Sequence, residues 1–165
     1  MGREAGRGTI VVTGFACALG VACGPAPRNP EEFRQLVRKG GWGMQIEEKS
    51  IARDWQAAFA DVTQNAERCF NVSTKTVHGS YGQSVEFVYL ARSRRGEHAG
   101  EVSVQMDSPN FVGEFPEGGM YILVADLGGQ PGTTRITVYR TGKPQLTASV
   151  IAWAEGKGGG CPDMR

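Results

Sequence analysis

The sequence predicts an α+β fold: an antiparallel meander of about four to five strands with two main helices packed on one sheet face. Three patterns carry this expectation. Apolar residues recur at helical spacing from Ile51 to Cys69, a series of alternating segments bounded by turn residues follows, and a last apolar segment opens on Pro144 and stops at Gly156. Runs of strands flanked by helices, without regular β-α alternation, describe a sheet with helices segregated to one side. At 165 residues there is room for one domain of ordinary size.

Asn29-Pro30-Glu31-Glu32 reads as a helix start: an Asn cap, proline at the first helical position, and carboxylates in the positively polarised first turn. Phe33, Leu36 and Val37 give this short helix an apolar stripe before Gly40-Gly41 ends it. Trp42, Met44 and Ile46 then alternate with Gly43, Gln45 and Glu47, the period of a short strand. Ser50 is placed to cap the second helix, whose stripe is Ile51, Trp55, Phe59, Val62, Ala66 and Cys69. Its charged residues lie mostly on the other face, so the stripe needs a sheet to lie on. Trp55 and Phe59 therefore read as core.

Five alternating segments follow: Asn71–His78, Ser84–Arg92, Gly100–Asp107, Met120–Asp126 and Thr134–Arg140. Val102, Val104 and Met106 point one way and Glu101, Ser103, Gln105 and Asp107 the other, as in a sheet with one wet face. Arg94-Arg95-Gly96 and the run from Gly128 to Gly132 are turn signals. Leu146, Val150, Ile151 and Trp153 form the stripe of the last helix, and the glycines from Gly156 to Gly160 read as a connector to Cys161.

Hydrophobic residues are 40% of the chain and charged residues 21%, a globular rather than a disordered composition. Once the charges Arg3, Glu4 and Arg7 are set aside, acidic and basic residues balance. A neutral domain lacks the clustered basic face that nucleic acid requires, so no nucleic-acid partner is expected.

The first 22 residues read as an address rather than as part of the fold. A polar stretch with two arginines precedes the uncharged run Thr9–Ala22, the layout of an export signal. That run of about 14 residues is shorter than the roughly 20 a spanning helix needs. Leu19-Gly20-Val21-Ala22-Cys23 resembles the lipobox of bacterial lipoproteins, with Val21, Ala22 and Cys23 matching and Gly20 standing where leucine is usual. The resemblance implies cleavage before Cys23, multiple acylation of that cysteine and attachment to the membrane. Gly24 in place of aspartate is consistent with the periplasmic leaflet of the outer membrane. Gly20 and Ala22 also satisfy ordinary signal cleavage, so a secreted soluble product is the competing reading. The domain organisation expected is a lipoprotein signal at 1–22, a tether at 23–29 whose Pro25 and Pro27 keep it extended, and one periplasmic domain at 30–165.

Of the four cysteines, Cys17 falls in the leader and Cys23 would carry lipid, which leaves Cys69 and Cys161. In an oxidising compartment these two most simply form a disulfide. Metal binding would need further ligands, and His78 and His98 show no paired spacing with either cysteine. No metal and no cofactor are expected.

No residue set identifies a reaction. His78-Gly79-Ser80-Tyr81-Gly82 lacks the order and the strand-to-helix elbow of a serine nucleophile. Glu31/Glu32 and Glu47/Glu48 are adjacent pairs whose side chains diverge, and Lys157 among its glycines lacks the Ser/Thr of a phosphate loop. Arg92, Arg94 and Arg95 cluster at a hairpin tip, where solvation accounts for them; the alternative is that they meet an anionic surface. Ser108–Gly119 is longer than a hairpin loop requires and carries Phe111 and Phe115, the candidate partner contact; the alternative is that both rings tuck under the sheet edge. The order of elements is similar to helix-grip domains of small periplasmic lipoproteins. The expected function is a lipid-anchored envelope protein that acts by non-enzymatic contact with another envelope protein or by assembly support. A small-ligand carrier and an enzyme with a nonstandard site are the alternatives.

Overall fold

In the computed structural model, residues 25–41, 43–78, 83–109 and 116–164 are described. Helix α1 (Pro30–Lys39) is followed by strand β1 (Met44–Ile51), helix α2 (Trp55–Phe70), strands β2 (Ser73–His78), β3 (Gln83–Arg95), β4 (Ala99–Asp107), β5 (Met120–Gln130) and β6 (Thr133–Thr141), and helix α3 (Pro144–Ala154). The α+β class is as expected, but the sheet has six strands, in the order β1-β6-β5-β4-β3-β2, every neighbouring pair antiparallel. The count exceeds the expected four to five because β1 runs on to Ile51 and joins the far edge, Met44 opposite Thr141 and Ile51 opposite Thr134. Both Ser50 and Ile51 thus belong to the sheet. The cap of α2 is Asp54, whose side chain accepts from the Gln56 N–H at 2.9 Å.

Helices α2 and α3 share one face of the sheet, as predicted. Ala58, Val62, Ala66 and Phe70 of α2 and Leu146, Val150 and Trp153 of α3 meet Val102, Val104, Leu123, Leu127, Ile136 and Val138 in one core. The approach is close: a Cβ on Gly100 would lie 2.3 Å from the Phe59 ring, so only glycine lets α2 settle there. The Phe70 and Trp153 rings are 5.4 Å apart and tilted by 53°, an edge-leaning geometry that aromatic pairs favour. Cys69 and Cys161 form a disulfide, their Cα atoms 5.1 Å apart across 92 residues of sequence. The bridge draws the chain end back over the domain. There Met164 is buried and its carbonyl accepts from the Tyr89 hydroxyl at 3.1 Å and from Lys143 Nζ at 2.6 Å.

The opposite face is covered too, which the alternation in β4 did not indicate. Helix α1 lays Phe33 and Val37 on Val124 and Tyr139 in a second, smaller cluster. Its start is the one expected: Asn29 caps the N–H of Glu32 at 2.9 Å and Pro30 opens the helix. Ser103 and Gln105, expected to face water, are buried at 5% and 2% exposure. The segment at 116–119 lies over Gln105, whose amide donates to the carbonyls of Glu117 and Gly119, both at 3.1 Å.

Candidate functional site

The features that could meet a partner or ligand gather on the α1 side of the sheet. The clamp that holds α1 there is ionic. Arg34 donates through Nε to Asp126 at 2.8 Å and through Nη2 to both Asp126 and Glu101. Those two carboxylates are register partners on β4 and β5 and so project from the same face. Burial works against the Arg34 charge, yet the hydrogen bonds to Asp126 and Glu101 outweigh it and hold its pKa above the ordinary guanidinium value. Arg38 adds a bond to the Tyr139 hydroxyl at 2.9 Å. Replacing Arg34 with alanine is expected to cost about 2 kcal/mol, the range for hydrogen bonds to charged groups. Loss of a fully buried pair would cost more, about 3–5 kcal/mol, but Asp126 is 36% exposed. Urea unfolding checks the magnitude, and amide exchange concentrated at Pro30–Lys39 checks that α1 is what comes loose.

Beside α1, at the end of the sheet where β4 and β6 finish and β5 begins, lies an apolar groove of about 430 Å³. Phe33, Leu36, Met44, Met106, Met120 and Ile122 form most of its wall. Methionine suits such a surface, since its unbranched thioether adapts to different shapes. Pro25, Ala26 and Pro27 lie along the same groove. The end of the stretch read as a tether thus borders the groove, and the backbone N–H of Arg28 is held by Glu32 at 2.8 Å.

Tyr121 joins the groove to a polar pocket of about 410 Å³, lined also by Arg28, Arg92, Gln105, Pro116 and Glu117. Burial pushes the Tyr121 hydroxyl above its ordinary pKa, Arg92 pulls it back and Glu101 raises it further. The phenol is thus kept neutral and able to donate. The Gln105 amide nitrogen is taken up by two carbonyls, but its Oε1 is buried without a partner among the described residues.

The sequence-predicted site residues are placed as follows. Cys69 and Cys161 are brought together as the disulfide. Cys23 and the two rings expected to make the partner contact, Phe111 and Phe115, lie outside the described residues. Of the arginine-rich tip, Arg95 stacks over the Trp55 ring at 5.7 Å, while Arg92 turns to the polar pocket. His98 is exposed beside Glu97 at the β3–β4 turn. Among the described residues, no three His, Cys, Asp or Glu side chains converge as metal ligands would. Sequence reasoning missed Tyr121, Gln105 and the methionine groove. The one signal available was Met106 and Met120 flanking the long loop.

No protein-family model matches the chain, and no curated protein sequence matches it. Among solved structures it is similar to the crystal structure of Ara h 8.0201, with 11% identity, 71% of this chain and 97% of that chain covered, and a TM-score of 0.38. It is also similar to protein Ms6760 from Mycobacterium smegmatis, with 11% identity, coverage of 85% and 99%, and a TM-score of 0.34. Protein MLL2253 from Mesorhizobium loti follows with 12% identity, coverage of 69% and 88%, and a TM-score of 0.28. Likeness at this level carries no argument about a family, a ligand or an activity.

Proposed function

We propose that the chain is a lipoprotein of the outer membrane, anchored in the periplasmic leaflet through Cys23, and that it works by non-enzymatic contact through the groove beside α1. The observation that carries the reading is the course of Pro25–Pro27 along that groove. Cys23 is two residues earlier, a reach of at most about 7 Å. An anchor there would hold the groove close to the bilayer surface, facing whatever is embedded in or lies on the same leaflet. The groove is concave and mostly apolar, which is how contact surfaces differ from the scattered apolar residues of an ordinary exterior. The opposite side of the sheet is occupied by the packed core of α2 and α3, so the groove is the better candidate for an adaptable contact.

The test is photo-crosslinking in cells from position 36, with Leu36 replaced by a photoreactive residue, in the wild-type background and with Cys23→Ser. Capture of a discrete membrane-associated protein that falls away with Cys23→Ser is the expected result. Membrane fractionation unchanged by Cys23→Ser overturns the anchor. Absence of any discrete product from position 36 overturns the contact.

A further inference from the structure

We infer that the groove and the polar pocket together take the carboxy-terminal end of a peptide chain that finishes in an apolar residue. The inference rests on the contact reading above and names the chemistry of the partner. The two depressions share Tyr121, so one ligand can lie across both. The apolar half offers Leu36, Met44 and Met120 to a side chain. The polar half offers positive charge: Arg28 and Arg92 line it, and neither is engaged in an ion pair among the described residues. Among the described residues, Glu117 is the one carboxylate in that lining.

The buried Gln105 decides between possible anions. Its Oε1 is an acceptor with no donor among the described residues, in a side chain 2% exposed. The position a Cβ would take on Gly118 lies 3.0 Å from this oxygen and 3.4 Å from Arg92 Nη2. Acceptor and cation thus lie close together beside Gly118, whose φ of +82° and crowded surroundings, with the Gln105 amide nitrogen 3.3 Å from the same point, admit no side chain there. A ligand that satisfies both needs an N–H beside a negative charge. The last residue of a peptide has this pairing, its amide N–H one carbon from its carboxylate. A fatty-acid carboxylate has the charge but no donor, and would leave the Gln105 oxygen buried and unpaired, a costly arrangement. An internal peptide segment has the donor but no main-chain charge, and an Asp or Glu carboxylate sits farther from its amide N–H than a terminal carboxylate does. Capture of a terminal carboxylate together with a pocket for the last side chain is an established way for proteins to read peptides.

The experiment uses the purified full chain and an array of fluorescein-labelled pentapeptides of one Gly/Ser sequence that differ only in the last residue, each made with a free carboxylate and as the amide. Anisotropy is expected to show binding of the free acids ending in Leu, Met or Phe, weakened tenfold or more in their amides and in free acids ending in Asp. Arg28→Ala with Arg92→Ala should abolish the preference for acid over amide, and Met44→Asp the preference for an apolar last residue. The two arginines are exposed, and far-UV circular dichroism of each variant verifies that it folds. Equal binding of acid and amide, or no binding anywhere on the array, overturns the inference. So does palmitate that binds in a Met44-dependent way while no peptide competes, which would make the occupant a lipid. A chain that crosslinks from position 36 but ignores the array loses this inference and keeps the contact reading; one that binds the free acids but carries no lipid keeps the inference and loses the anchor.

Discussion

Replacing Trp153 with alanine is expected to destabilise the domain by about 3–5 kcal/mol, the range for truncating a large buried aromatic. Trp153 is 1% exposed and sits where α3, α2 and the sheet meet, its ring against Phe70. Truncation would remove apolar contact from both helices at once and leave a cavity that two packed layers cannot close. Since small domains retain only about 5–15 kcal/mol in all, the variant should unfold at markedly lower urea. Ile46 provides the internal contrast. It is 43% exposed on the edge strand β1, and its replacement by serine should stay within about 0.5 kcal/mol, as exposed substitutions do. Comparable losses at the two positions would mean that the face carrying α2 and α3 is not the principal core.

The second large effect is expected from the disulfide. Opening Cys69–Cys161 frees a loop of 92 residues, and chain-entropy arguments together with small-domain precedents put the loss at about 2–5 kcal/mol. Cys69 is buried, so Cys69→Ala with Cys161→Ser is the cleaner substitution because it adds no buried hydroxyl. Urea unfolding of this variant, or of the wild type under reductant, measures the loss. Exchange should also rise near Met164, whose carbonyl is otherwise held by Tyr89 and Lys143. Arg68 contributes a further tie to the Gly159 carbonyl at 2.9 Å, so the glycine run is a fastened return path rather than a loose connector. A change under about 0.5 kcal/mol would show that packing alone holds the chain end.

Local signals along the chain were read with fair success where local chemistry decides the outcome. Asn29-Pro30 starts α1 as its residue types require, and Pro144 and Gly156 bracket α3. The stripe from Trp55 to Cys69 faces the sheet as its spacing demands. The misreadings come from long-range pairing. Ser50 is a competent cap, but the ladder between β1 and β6 claims it, and Asp54 takes the role instead. The alternation in β4 correctly divides its two faces, yet it carries no information on what arrives to cover the second. The cover comes from α1 and from residues 116–119, and it turns Ser103 and Gln105 from wet to buried.

The candidate site was almost invisible for the same reason. Pro25, Leu36, Met44, Met106 and Met120 come from five separate stretches, none with a motif, and only the sheet order brings them to one groove. Arg28 and Arg92 look like any solvated arginines until the fold brings them to one pocket with Tyr121 and Gln105. The Cys69–Cys161 pairing was legible because few cysteines leave few pairings.

The proposed function stands most directly on the chemistry of Cys23. The measurement that tests it is mass spectrometry of the amino-terminal peptide from protein expressed with its own leader in a Gram-negative host and recovered from the membrane fraction. A peptide that begins at Cys23 and carries the mass of multiple acyl chains is the result expected. A peptide that begins elsewhere, or at Cys23 with a free thiol, in protein recovered from the soluble periplasm, would contradict the anchor and make the chain a secreted domain.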